Sequence, residues 1–248
     1  MDTALFIGMT HKGALKREME VLAHNVANMN TTAFKQEKVV FQQLLVDAPS
    51  APGTDGGQVS YVVDKGVTRD FSAGAMVNTG NSLDVFISDN GFLEVEAGSG
   101  EKLYTRNGRM RLDQDLTLVT LSGQKVLDDT GAPVIFDASE TDITIAENGM
   151  ISTSQGEKAT LSLVSFGDPN ALKRRDNSLY ESSQDPQGPE EGPEITLVPG
   201  AIEASNVDPI KSMVELIDIS AAYARASKSG EDMEKMQKEA IQRLGRTR

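Results

Sequence analysis

Chemistry in this chain would have to come from a short roster of side chains. Its two histidines, His11 and His24, are thirteen residues apart, a spacing that does not bring them together as metal ligands on one helix. There is no cysteine, which removes thiolate zinc sites, disulfide frameworks and cysteine nucleophiles together. Asp113 and Asp115 open like a calcium loop, but Thr117 and Leu118 occupy the places of a later ligand and the turn glycine. Serine is plentiful without a Gly-x-Ser-x-Gly elbow, and no glycine-rich loop is spaced to cradle a phosphate. Carboxylates remain, 37 of them, and a pair held a few ångströms apart in a groove can hydrolyse a glycosidic bond. Such grooves usually need aromatic platforms, and the chain has no Trp and only Tyr61, Tyr104, Tyr180 and Tyr223. A solvated acidic surface is the simpler reading, so we expect no enzyme, no metal and no cofactor.

Composition sets further bounds. With 248 residues, 38% hydrophobic and 5% aromatic, the chain has a thin supply of core for its length. The net charge of −13 excludes a nucleic-acid partner, because phosphate binding needs a basic surface, and Lys173-Arg174-Arg175 is too short to supply one. All of that charge sits in residues 49–200. Residues 1–48 carry 5 basic and 5 acidic side chains, and residues 201–248 carry 8 of each. No run approaches the roughly 20 apolar residues of a membrane span. Ala4–Met9 is too short for a signal-peptide core and Asp2 replaces its basic leader, so the chain is expected to stay inside or to leave by a route that reads no cleaved signal.

The elements follow from periodicity. Leu15, Met19, Leu22, Val26 and Met29 recur at spacings of 4, 3, 4 and 3, a helical seam that should end near Asn28–Thr32. At the other end Asn206 or Asp208 can cap a helix with Pro209 in its first turn. Ile210, Met213, Val214, Ile217, Ala221 and Ala224 then share one face, and Gly230 predicts a weak point or kink. Both stripes are narrow and gain little without partners. Between the ends, short extended runs at 83–87, 92–96, 103–106, 110–112, 116–120, 134–136, 143–145 and 161–164 predict an antiparallel β-domain. Asn90-Gly91, Asn107-Gly108 and Asn148-Gly149 suggest type I′ hairpin turns. The predicted organisation is an N-terminal helix and turn (1–46), an extended linker (47–71), a β-domain (72–181), a second linker (182–204) and a C-terminal helix (205–248). Asp47–Gln58 and Ser182–Glu194, rich in Pro and Gly, have linker composition.

Four segments then resemble one family. Ala23-His24-Asn25-Val26-Ala27-Asn28-Met29-Asn30-Thr31-Thr32-Ala33-Phe34-Lys35 is similar to the ANNIANxNTxGFK signature of bacterial flagellar axial proteins. Thr79–Val85 with Asn90-Gly91-Phe92 resembles the family's TGNxLDVAIxGxGFF segment, and Thr105-Arg106-Asn107-Gly108 through Leu127 its TRNG block. Gly200–Pro209 with Met213, Leu216 and Ile217 resembles its GxLExSNVD box. The likeness is strongest to proximal-rod members, with distal-rod and hook-type members as siblings. Ala33 and Asp89 replace common glycines, and Ala221 and Ala224 stand where Arg and Glu are frequent.

The resemblance implies an α+β fold in which coiled-coil-type helices from both ends pack together beside the central antiparallel β-domain. It further implies a structural rod subunit, assembling helically with copies of itself and other rod proteins and exported by the flagellar type III apparatus into the periplasm-spanning rod, without inserting in a membrane. Partner-binding residues are then expected at Leu15, Met19, Leu22, Asn25, Val26, Asn28, Met29 and Phe34 from one end. Asn206, Val207, Ile210, Met213, Val214 and Ile217 are expected from the other. A carbohydrate-active enzyme on the cell wall is the remote alternative.

Overall fold

The computed structural model describes residues 2–47, 58–88, 90–98, 100–176, 178–182, 184–188 and 195–245. The chain divides into two units: residues 1–27, 37–69 and 208–248 form a helical unit, and residues 28–36 and 70–207 a β-unit. The fold is α+β, with antiparallel sheets and two long helices.

In the helical unit, α1 (Asp2–Ala27) and α2 (Pro209–Gly245) flank a hairpin of β1 (Glu37–Asp47) and β2 (Gln58–Arg69) in sequence. Asp208 caps α2: its carboxylate accepts the amides of Ile210 at 3.0 Å and Lys211 at 3.1 Å. The helix runs unbroken through Gly230. The two helices touch, with the Ser220 hydroxyl 3.6 Å from the Met19 sulfur and the Lys12 ammonium 5.4 Å from the centre of the Tyr223 ring. The hairpin was not anticipated: Val39-Val40-Phe41-Gln42-Gln43-Leu44-Leu45 lacks the alternation that marks a half-buried strand, and residues 58–69 fell in an expected linker. The strands pair from Glu37↔Arg69 to Asp47↔Gln58, with a bulge between Val40 and Phe41. Most of the Asp47–Gln58 connector, and residues 189–194 of the second one, lie outside the described residues.

The β-unit strands are, in order, β3 (Met76–Asn78), β4 (Val85–Ile87), β5 (Gly91–Glu96), β6 (Lys102–Thr105), β7 (Met110–Leu112), β8 (Leu118–Thr120), β9 (Lys125–Val126) and β10 (Thr144–Ile145). There follow β11 (Met150–Thr153), β12 (Gly156–Thr160), β13 (Leu163–Ser165), β14 (Lys173–Asp176), β15 (Leu179–Glu181), β16 (Leu197–Pro199) and β17 (Ala201–Glu203). An eight-stranded sheet runs β14-β15-β6-β5-β9-β8-β7 with β13 also on β5, beside a β10-β11-β12 sheet and the pairs β16-β4 and β17-β3. Strand β5 is buried on both faces, so its alternation feeds two cores. Leu93 and Val95 join an aliphatic cluster with Ile87, Leu118, Ile151 and Leu197. Phe92 joins an aromatic one with Tyr104, Phe166 and Tyr180, where Phe92 meets Phe166 edge-on at 5.5 Å. The predicted strand at 134–136 is replaced by isolated bridges, Thr117↔Ile135 and Leu127↔Pro133.

The three Asn-Gly pairs do not form the expected type I′ turns. None of Asn90, Asn107 and Asn148 has the positive φ that a type I′ turn requires, and of the three glycines only Gly149 does. Strand β4 pairs with β16 and β7 with β8, so the first two Asn-Gly pairs do not join partner strands at all. Their glycines answer to space: a Cβ on Gly108 would lie 2.0 Å from the Val85 carbonyl oxygen, and one on Gly91 would lie 2.4 Å from Ile195 Cγ2.

Candidate assembly interface

The expected contact residues separate into two groups. Leu22 is buried within its own unit, while Leu15, Met19 and Val26 are half-buried. Asn25 is fully buried and brackets the start of β1, donating to the Glu37 carbonyl at 2.7 Å and accepting the Glu37 amide at 2.9 Å. Asn28 accepts the Thr31 hydroxyl at 3.1 Å, Met29 is half-buried and Phe34 is buried. Asn206 accepts the Gln36 amide at 2.7 Å and donates to the Asp70 and Ser72 carbonyls at 2.8 and 3.1 Å, with Val207 buried beside it in sequence. The Asn25 and Asn206 side chains thus satisfy backbone groups of their own chain.

The second group is different. Ile210, Met213, Val214 and Ile217 are 78%, 42%, 53% and 67% exposed. Helix α2 is held to α1 by another face, the one that carries Ser220 and Tyr223. The apolar stripe read from the sequence therefore exists and points away from its own chain.

The β-unit also contains a buried charge cluster that the sequence did not announce. Glu203, at the end of β17, accepts from the Lys35 ammonium at 2.7 Å and from Arg106 Nε at 3.2 Å, and all three side chains are 1% exposed. Its Oε1 also accepts the Gly74 amide at 2.8 Å. Lys35 donates in addition to the Ser72 carbonyl at 2.7 Å, and Arg106 to the carbonyls of Gly91 at 2.9 Å and Ile87 at 3.3 Å. Two cations thus share one carboxylate away from water, an arrangement that is tolerable only because each of their nitrogens has an acceptor. Burial, reinforced by the neighbouring Arg106 charge and opposed by Glu203, lowers the Lys35 pKa to about 8. Each of the three belongs to a segment that resembles the axial-protein family, but at spacings that span most of the chain.

The sequence that carries these motifs is similar to that of known proteins. Residues 86–153 match the family described as flagellar hook protein FlgE/F/G D1 domain, and residues 198–243 match the flagellar basal body rod FlgEFG protein C-terminal family. The chain is 33% identical to the flagellar basal-body rod protein FlgF of Caulobacter vibrioides, over 99% of each chain. It is 31% identical to FlgF of Rhizobium meliloti over the full length of both. It is 30% identical to the rod protein FlgG of Agrobacterium fabrum, over 91% of this chain and 93% of that one. The chain belongs to the FlgF/FlgG family of flagellar basal-body rod proteins.

Proposed function

We infer that this chain is a structural subunit of the proximal rod of the bacterial flagellum, polymerising through its terminal helices to link the motor to the hook. The observation that carries the reading is the exposed apolar face of α2. Ile210, Met213, Val214 and Ile217 would each contribute roughly 1.5–3 kcal/mol on full burial, a stabilisation the isolated chain forgoes and a neighbouring subunit can supply. In this reading α1 and α2 associate in coiled-coil fashion, and the outward stripe of α2, with Leu15, Met19, Val26 and Met29 beside it in role, meets other subunits. Asn25, Asn28, Phe34, Leu22, Asn206 and Val207 act one step back, by fixing the segments that lead into the helices. Contacts of this kind that do not close on themselves generate helical filaments. The near-neutral ends suit crowding at an axis, where concentrated like charge would repel. Export would run through the type III apparatus, without a cleaved signal, into the periplasm-spanning rod.

Full-length likeness to FlgF proteins in two bacteria favours the proximal over the distal rod. Mass spectrometry with absolute quantification on purified hook–basal bodies tests this. A few copies per structure are expected. Tens of copies would move the chain to the distal rod, and its absence would overturn the assignment.

A further inference from the structure

The segment that follows α1 (28–36) and the segment that precedes α2 (203–207) meet a third stretch, 70–75, inside the β-unit. The Ala33 amide donates to the Glu203 carbonyl at 2.8 Å, the Asn206 amide to the Phe34 carbonyl at 3.3 Å, the Asp70 amide to the Gln36 carbonyl at 2.9 Å and the Ala204 amide to the Ala75 carbonyl at 2.9 Å. Two side chains cross-link the junction: Asn206, bonded to Gln36, Asp70 and Ser72, and Glu203, bonded to Lys35, Arg106 and Gly74. Glu203 is the only anion bonded to either cation among the described residues. If residues 203–207 leave, Lys35 and Arg106 are left as two neighbouring like charges without the one carboxylate bonded to them, which the interior does not tolerate. If residues 28–36 leave, Glu203 loses its shorter ion pair and Asn206 its Gln36 partner.

We propose that Glu203 is a latch that makes segments 28–36 and 203–207 close on the 70–75 stretch of the β-unit together or not at all. The chain leading out of α1 and the chain leading into α2 are then ordered in one cooperative step, and a β-unit with one of the two segments engaged and the other loose is suppressed. Such a latch yields two usable states, both segments free or both engaged, from a single buried carboxylate.

Native-state hydrogen exchange on the full chain tests this. In the wild type, the amides of Ala33, Gln36, Asp70, Gly74, Ala204 and Asn206 should exchange through one opening, with a common free energy and a common denaturant dependence. In Glu203→Gln, exchange should accelerate by about a hundredfold or more at 28–36 and at 203–207 alike, because a broken buried pair strands the remaining charges. Adding Lys35→Met to Glu203→Gln should restore part of the protection, since it removes a stranded cation. A merely additive packing loss would instead accelerate exchange further. Two segments with different opening energies in the wild type would overturn the proposal, and this holds even if Glu203→Gln fails to fold. So would an acceleration confined to 203–207.

Discussion

The Lys35 ammonium lies 2.7 Å from the Glu203 carboxylate although 168 residues separate them. Through that contact the part of the chain that follows the first helix is joined to the part that precedes the second. Arg106, contributed from just beyond β6, completes the cluster and ties it to the sheet. The fold around it is ordinary in its economy, with β5 serving two cores and frequent turns fixing short strands. The cluster is where burial and charge conflict, and it yields the sharpest prediction about stability.

Lys35 has a pKa of about 8 in the folded chain against 10.5 for a free lysine. Between those values the unfolded chain holds a proton that the folded chain has released, so raising the pH through this window favours folding. Below about pH 8 both states hold the proton and the dependence vanishes. One proton corresponds to about 1.4 kcal/mol per pH unit. Urea unfolding at pH 8 and pH 10 should therefore show wild type gaining roughly 2 kcal/mol relative to Lys35→Met, which lacks the titrating group. Equal pH slopes in the two proteins would contradict the buried ammonium.

Gly108 and Gly230 should answer oppositely to alanine. A Cβ at 108 would lie 2.0 Å from the Val85 carbonyl oxygen, which is backbone and cannot turn aside. Gly108→Ala should cost about 2–4 kcal/mol, read as a lower melting temperature of the β-unit. Nothing lies within 4 Å of a Cβ at Gly230, in the interior of α2. Gly230→Ala should stabilise the helix by about 1 kcal/mol, seen as greater helicity by circular dichroism.

Ala33 is fully buried at a φ of 56°, a left-handed conformation that costs a residue bearing a Cβ about 1–2 kcal/mol. Relief of that strain in Ala33→Gly should offset the lost methyl burial and the added freedom of the unfolded chain, leaving stability within about 1 kcal/mol of wild type. Ala33→Val, branched and enlarged at a site with no exposed surface, should cost more than about 3 kcal/mol. Denaturation midpoints of the two variants check the pair, and similar losses in both would contradict the strained turn.

Much of this was legible in advance, and the gaps have physical causes. The periodicity from Leu15 to Val26 located the C-terminal half of the first helix, which begins at Asp2 and ends before Met29, and Asp208-Pro209 located the start of the second, because seams and caps are local signals. The stripe Ile210-Met213-Val214-Ile217 was visible and its narrowness called for a partner, without saying whether that partner is α1 or another subunit. Hydrophobicity alone would turn it inward, whereas the chain sets Ser220 and Tyr223 against α1 and leaves the larger aliphatics outside. Asn107-Gly108 was misread because the dipeptide advertises a turn while the glycine is there for the Val85 carbonyl, and that neighbour is 23 residues away in sequence. The same holds for Lys35, Arg106 and Glu203. Charged residues are read as exposed unless paired, and no spacing rule links positions so far apart.

If the exposed apolar face of α2 is a contact between subunits, one substitution tests it directly. Ile217 is 67% exposed, so Ile217→Asp should leave the fold of the isolated chain unchanged by circular dichroism and melting. Leu22, being buried, could not separate assembly from folding in this way. Purified basal bodies from cells expressing Ile217→Asp should lack the chain and stop short of a hook, with the soluble protein present at normal levels. Incorporation at the wild-type copy number would contradict the assignment of that face to assembly.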